Sequence, residues 1–396
     1  MSQDSVLLLT AGYWQLPVVR CAKRLGLRAI VTDLRPDAPA VAEAHTYVQL
    51  DSLDADAVTQ AAVRYQVSAI VAEQTDVAVA TAAAVAERCG LPGIGVEVAQ
   101  RVTNKRLMRD ACVAGGVPVP RYRCVQDVRE AIDAAKEIGL PVVIKPTDSQ
   151  SSKGVAKVWN LADVPMWFSY AMNESRERRV LVEQMLCGVE SSVEAYVTPG
   201  TVTVLGISEK TKSPPPFSFD TRLIYPATFS PELMAELTRV NEMVIRAVGI
   251  PFGMSHAEYI VTPQGVYLLE VAARGCGAGV ASTLVPAMTG FDPIAARLMD
   301  ALGQKQPAPT LTKNQCGLLE FLMLPPGEVV AISGLEQARS LPGVLSVDYF
   351  AKPGTRVSDI RNGAERPGYC LATGNSYADL DRVLSELKAC LTVTMR

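Results

Sequence analysis

Three short apolar runs alternate with helix-length patterns at the start of this 396-residue chain, and that alternation constrains its fold more than any other feature. The first run, Val6 to Thr10, ends in Ala11-Gly12 and leads into a helical pattern through Leu25. A second run, Ala29 to Thr32, stops at Asp33. Helical Asp54 to Tyr65, apolar Ala69 to Val71 and the Ala-rich pattern Val77 to Cys89 continue the series. Apolar runs joined by helices predict a small open parallel sheet with helices on its faces, closing near Gly95. Strand, turn, helix, strand and terminal Asp33 also outline a dinucleotide fold. The turn, however, reads Ala11-Gly12-Tyr13-Trp14-Gln15, without the glycine fingerprint and with bulky side chains where a pyrophosphate would approach the helix. The prediction is therefore a Rossmann-like sheet without a bound dinucleotide.

From about residue 96 to 306 helices mix with strand-like runs broken by glycine loops, as in an α+β domain. Lys305 to Lys313, with Pro307 and Pro309, is expected to be a linker. Beyond it, Gly317 to Met323, Val344 to Phe350 and Tyr369 to Thr373 read as strands and Tyr377 to Leu391 as an amphipathic helix. A formal net charge of -3 offers no field for nucleic acid or an anionic membrane, which favours small-molecule partners. No apolar run reaches the roughly 18 residues of a membrane span, no secretory signal opens the chain, and a cytoplasmic location is expected. The nine cysteines are scattered and never in CxxC spacing, so they are expected to be reduced; His45 and His256 are too few for a multi-histidine metal site.

Thr103-Asn104-Lys105-Arg106 opens a helix, and the strand Val142-Val143-Ile144-Lys145-Pro146 follows. An ammonium at the end of an apolar strand is costly unless it meets an anion, which makes Lys145 the sharper of the two lysines. The segment Thr147 to Gly154, with Ser149, Ser151, Ser152, Lys153 and Gly154, is built of small polar residues whose N–H groups and hydroxyls can close over phosphates. It does not fit G-x-x-x-x-G-K-[ST], so a P-loop is excluded on this motif. Val180 to Leu186, carrying Glu183, Gln184 and Met185, runs into Gly188 and Glu190. Such a strand can offer backbone groups to an adenine edge, and Glu190 can accept from ribose hydroxyls.

Met254 to Val261, a turn at Pro263-Gln264-Gly265, and Val266 to Arg274 form a hairpin pattern carrying two carboxylates. Period-2 alternation places His256 with Glu258 on one face and Glu270 with Arg274 on one face. Two converging carboxylates with few imidazoles or thiolates suit Mg²⁺, which takes oxygen ligands and nucleotide phosphates. A buried Glu270–Arg274 ion pair is the structural alternative.

The order of these elements, from about Lys105 to Gly279, resembles the ATP-grasp superfamily. Within it, His256-Ala257-Glu258, Glu270-Val271-Ala272-Ala273-Arg274-Gly275 and the segment Ser208 to Lys212 with Pro214 to Phe217 are similar to the L-amino-acid ligase group. The resemblance implies an ATP-grasp fold of α/β and α+β class. Residues 1–95 would form the N-terminal Rossmann-like open parallel sheet domain, 96–306 the ATP-grasp domain with a lid subdomain at about 115–190, and 307–396 a C-terminal α+β subdomain. It implies ATP and Mg²⁺, with Mn²⁺ as a substitute, and an ADP-forming ligase that activates a carboxylate as an acyl-phosphate and couples it to an amine; an ATP-grasp carboxylase or phosphotransferase and a nucleotide-binding module without turnover are the alternatives. Lys105 and Lys145 would hold phosphates under the Ser149 to Gly154 loop. Glu183 to Leu186 with Glu190 would seat adenosine, and Glu258 and Glu270 would hold the metal. Arg274 would face the transferred phosphoryl group, with Lys153 and His256 as further catalytic candidates; Arg222, Gly275 and Gly277 are candidates for substrate contact. Many superfamily members have Asn where this chain has Ala272, which removes an oxygen ligand for a second metal. Acid and amine small molecules are the expected partners, with assembly as a homodimer.

Overall fold

The computed structural model describes residues 3–396. Its N-terminal sheet contains β1 (Ser5–Leu9), β2 (Arg28–Asp33), β3 (Thr46–Gln49) and β4 (Ala69–Val71), all parallel in the order β3-β2-β1-β4. The edge strand β3 has no counterpart among the apolar runs, because its Thr-Tyr-Val-Gln sequence is half-exposed and carries no buried-strand signature. Alternation decides the two faces: Leu7 and Leu9 pack toward helices Ala55–Arg64 and Val79–Arg88, Val6 and Leu8 toward helix Leu16–Arg24. The latter face is completed by helix Pro293–Ala301, through Ile294 and Leu298. Residues 1–95 thus supply the sheet but not all of its cover.

A second sheet comprises β5 (Tyr122–Val125), β6 (Val142–Pro146), β7 (Ala156–Val158) and β8 (Val180–Gln184), antiparallel in the order β5-β8-β6-β7. Helices Val128–Ile138 and Val164–Asn173 bury Ala131, Ile138 and Phe168 against it, giving this unit a small core of its own.

The remaining strands are β9 (Val189–Thr198), β10 (Thr201–Lys212), β11 (Asp220–Tyr225), β12 (Gly253–Thr262), β13 (Gly265–Ala272), β14 (Cys316–Phe321), β15 (Gly327–Ser333), β16 (Val344–Tyr349), β17 (Arg356–Val357), β18 (Gly368–Gly374) and β19 (Thr392–Met395). Eight of them form one sheet in the order β13-β12-β9-β10-β11-β14-β18-β16, and β17-β15-β19 form a small separate one. Because β14 pairs with β11, Arg222 opposite Glu320, the sheet runs unbroken across the Pro307–Pro309 linker. Position 307 marks a change of connection, not a boundary between sheets. All nine cysteines are unpaired, and among the described residues no helix is long and apolar enough to cross a membrane.

Candidate active site

Between the small sheet and the large one lies a cavity of about 670 Å³, and its floor is set by a buried charge cluster. Lys145 on β6 reaches Glu183 on β8, Nζ to Oε2 at 2.6 Å, and Arg109 donates from Nε to Glu183 Oε1 at 2.9 Å. Arg109 comes from helix Lys105–Ala114, whose N-terminus is capped by the Asn104 side chain accepting from the N–H groups of Arg106 and Leu107. Burial alone would raise the Glu183 carboxyl, but Arg109 and Lys145 hold it below the usual carboxylate range. One carboxylate cannot serve two cations fully, and burial keeps the Lys145 ammonium below its ordinary value despite Glu183. The cluster carries a net positive charge toward the cavity. The same cap puts Lys105 in the first helical turn, where Nζ donates to the Ser149 carbonyl at 2.6 Å and to Glu270 Oε1 at 2.9 Å.

The hairpin β12–β13 forms the facing wall. Its register sets Glu258 directly opposite Glu270 and His256 opposite Ala272, with an irregularity after Glu258. Lys210 Nζ lies 2.6 Å from Glu258 Oε1, and Lys210 and Lys212, two apart on β10, both meet Asp220. Lys212 also pairs with Glu190 at 2.9 Å. Burial would lift the Glu258 carboxyl, yet Lys210, His256 and Lys212 hold it well below its ordinary value. His256 bonds Glu194 through Nδ1 at 2.7 Å and faces Glu258 through Nε2 at 3.3 Å. Burial would lower its basicity, but Cys276 and Glu194 raise it well above normal. Glu194, His256 and Cys276 have ligand-type atoms within 4.8 Å of one another beneath the hairpin. Arg274, just past β13, forks onto Asp76 from the loop after β4, with Nε at 2.8 Å.

The loop from Ser149 to Gly154 covers this arrangement. Ser151 and Ser152 adopt φ of 58° and 59°, left-handed backbone that L-residues rarely take, and Gly154 follows at 73°. Gly154 is required here: a Cβ would fall 2.9 Å from the Glu174 side chain and 3.0 Å from Pro146. Besides the Lys105 bond to the Ser149 carbonyl, the loop is tied down by Asp76 N to Gln150 Oε1 at 3.0 Å and Gly363 N to Ser151 O at 2.9 Å. Beneath it a smaller cavity of about 90 Å³ shares Ser152, Lys212, Glu258 and Glu270 with the large one.

The structure gathers most of the expected residues. Lys105, Lys145, Ser149, Ser152, Glu183, Gln184, Met185, Leu186, Glu190, Glu258 and Glu270 line the large cavity; Ser151, His256 and Arg274 line the small one. Five expected residues line neither. Arg222 is turned to Glu320 on β14, Nε to Oε2, so its fork is spent on a cross-strand ion pair and it is withdrawn as a substrate ligand. Gly275 and Gly277 pack against the N-terminal unit: Gly275 N donates to Glu73 Oε2 at 2.9 Å, and a Cβ at 275 would lie 2.4 Å from Ala281, a packing reason for glycine rather than a binding one. Lys153 and Gly154 shape the loop without facing either cavity. Arg109, Asp76, Glu194 and Asp220 complete the site without having been singled out, and Lys210 and Lys212, noted only within the resembling segment Ser208 to Lys212, had been given no role. Lys210 and Lys212 had a signal in their period-2 spacing; Asp76, alone in a loop, had none.

As a host for a divalent cation the hairpin offers the carboxylate oxygens of Glu258 and Glu270, side chains 26% and 34% exposed, while the imidazole of His256 is engaged by Glu194 and Glu258. That donor set fits Mg²⁺ or Mn²⁺ completed by phosphate and water, and Ala272 adds nothing to it.

Residues 138–283 match the ATP-grasp domain family, and residues 320–396 match L-amino acid ligase C-terminal domain 2. The chain belongs to the ATP-grasp superfamily. Further comparisons find relatives in sequence and in fold. A formate-dependent phosphoribosylglycinamide formyltransferase from Erythrobacter litoralis is 29% identical over 93% of both chains. Among solved structures, the L-amino acid ligase from Bacillus licheniformis superposes with a TM-score of 0.84 at 21% identity over the whole of both chains. The biotin carboxylase domain of the Hydrogenobacter thermophilus 2-oxoglutarate carboxylase, solved as a dimer with MgADP and bicarbonate, reaches 0.78 at 18% identity over 100% of this ATP-grasp chain and 91% of the other.

Proposed function

We propose that this ATP-grasp protein activates a small carboxylic acid, an amino acid or a close relative, as an acyl-phosphate and couples it to an amine, releasing ADP and phosphate. The carrying observation is the convergence of Glu258, Glu270 and Arg274 on one small cavity under the Ser149–Gly154 loop. Charge is concentrated there as a γ-phosphoryl transfer needs it, since such a transfer depends on positioning and neutralisation more than on a protein nucleophile.

In this reading adenosine lies along Gln184 to Leu186, with Glu190 toward the ribose, and Lys105 and Lys145 meet the phosphates. Glu258 and Glu270 would hold Mg²⁺, which supplies charge neutralisation on the phosphates when bound. Arg274, kept in place by Asp76, offers a planar donor fork to the group in transfer. His256 acts as a positioning residue, holding Glu258 from the Glu194 side. Ser151 and Ser152 present strained backbone toward the phosphates, and the closed loop keeps water from the acyl-phosphate. We also propose a homodimer; light scattering at the mass of one chain would end that part.

The test is a panel of amino acids and small acids, formate included because of the formyltransferase relatives, incubated with ATP, Mg²⁺ and hydroxylamine. A hydroxamate together with equal amounts of ADP and phosphate is expected for at least one acid. AMP with pyrophosphate would overturn the mechanism.

A further inference from the structure

Three cationic side chains other than His256 border the small cavity, and two have carboxylate partners: Lys212 on Asp220 and Glu190, and Arg274 on Asp76. The third is Arg366, from the turn that precedes β18. No carboxylate lies within 4.0 Å of it among the described residues. Its Nε donates to the Gly363 carbonyl at 2.6 Å and its Nη1 to the Asp220 carbonyl at 3.1 Å, which leaves Nη2 without a protein partner. The guanidinium carbon stands 3.4 Å over the Phe321 ring, so the plane is fixed by stacking as well as by two backbone acceptors. Burial depresses this guanidinium to about 10, the mark of a cation removed from water and only partly compensated. The same turn carries Gly363, whose N–H holds the loop through Ser151.

A guanidinium preorganised in this way calls for an anion that keeps its charge throughout the reaction. The carboxylate being activated does not qualify, because phosphorylation and amide formation consume its charge. The phosphates already face Lys105, Lys145 and Arg274 in the proposed function, on which this inference rests. We propose that Arg366 binds the carboxylate of the incoming amine, so that the second substrate is an amino acid or another amine bearing a non-reacting carboxylate, and the product is a dipeptide-like acid. Arg366 is thereby a specificity residue supplied by the C-terminal segment.

The experiment compares twenty L-amino acids with their amides as amine substrates, using an acid found by hydroxamate formation, in wild type and in Arg366→Gln and Arg366→Lys. In wild type the KM of the preferred amino acid should lie below that of its amide by on the order of 10- to 100-fold, the value of a charge-assisted fork. Arg366→Gln should erase most of that preference by raising the amino-acid KM, and Arg366→Lys should restore part of it. Hydroxamate formation, which involves no amine carboxylate, serves as the check on folding and activation. Equal use of amino acid and amide by wild type overturns the inference. So does a Gln variant in which hydroxamate formation falls as steeply as ligation, since Arg366 would then serve activation. Absence of hydroxamate with every acid in wild type would instead remove the ligase reading beneath it.

Discussion

The two walls of the large cavity handle charge in opposite ways. On the small-sheet side, Lys145, Glu183 and Arg109 are sealed, with side-chain exposures of 8%, 3% and 0%, and the one carboxylate offsets only part of the charge of the two cations. On the hairpin side, Glu258 and Glu270 are also close to lysines but stay open to the cavity at 26% and 34%. A sealed cluster sets geometry and contributes to stability, because breaking it strands charge out of water. A carboxylate open to the cavity keeps oxygen lone pairs free for another cation even with a lysine beside it. Removing the sealed carboxylate should therefore act mainly on stability, and removing an open one mainly on chemistry.

The largest effect is expected from Glu183→Gln, which leaves Arg109 and Lys145 without their shared anion. A loss of about 3–5 kcal/mol in urea unfolding at neutral pH follows from a broken buried pair. The pH dependence has a defined sign. The folded carboxyl is held below its ordinary range, so the unfolded chain binds the proton more tightly. The stabilisation is complete above the unfolded value of about 4.3 and fades as pH falls through the lower folded value. Glu183→Gln should lack this acid limb, and an unfolding midpoint equal to wild type at neutral pH would break the contrast.

On the open wall, Glu270→Gln should fold with a near-normal midpoint and lose Mg²⁺-dependent ATP turnover by at least about 100-fold. Near-normal turnover would refute the metal role. The next pair sharpens the distinction: Lys145→Ala should mainly raise the KM for ATP, whereas Arg274→Ala should mainly lower kcat, each by roughly 10-fold or more. Equal effects on binding alone would contradict the division. The smallest change is expected for Arg222→Ala. Its half-exposed pair with Glu320 is worth about 0–1 kcal/mol, and KM for either substrate should stay at wild-type level, a steady-state measurement that separates it from the site.

Much of the site was legible because its residues break local rules. Lysine on an apolar strand, glutamates within the β12–β13 hairpin, and small polar residues with glycine between strands each contradict their surroundings, and such conflicts concentrate at functional positions. Arg222 broke a rule as well, yet its partner was a strand neighbour 98 residues away, beyond the reach of local pattern. Arg109 gave no signal, since an arginine on an amphipathic helix ordinarily faces water.

Local pattern along the chain was enough for most of the elements and their faces, though not for the half-exposed edge strand β3. Period-2 alternation placed His256 with Glu258, apolar runs with intervening helical patterns dictated a parallel sheet, and an order of motifs carried the superfamily resemblance. All of these are set by backbone geometry within a few residues. Tertiary structure alone decided how charges separated by 74 to 198 residues pair, as in Arg109 with Glu183 and Arg274 with Asp76. It also decided that helix Pro293–Ala301 would cover the first sheet and that β14 would extend the large one. The physical reason is that ion pairing and burial depend on distance in space, and loop closure of any length costs little beyond its logarithm, so sequence separation leaves no local mark of the partner chosen.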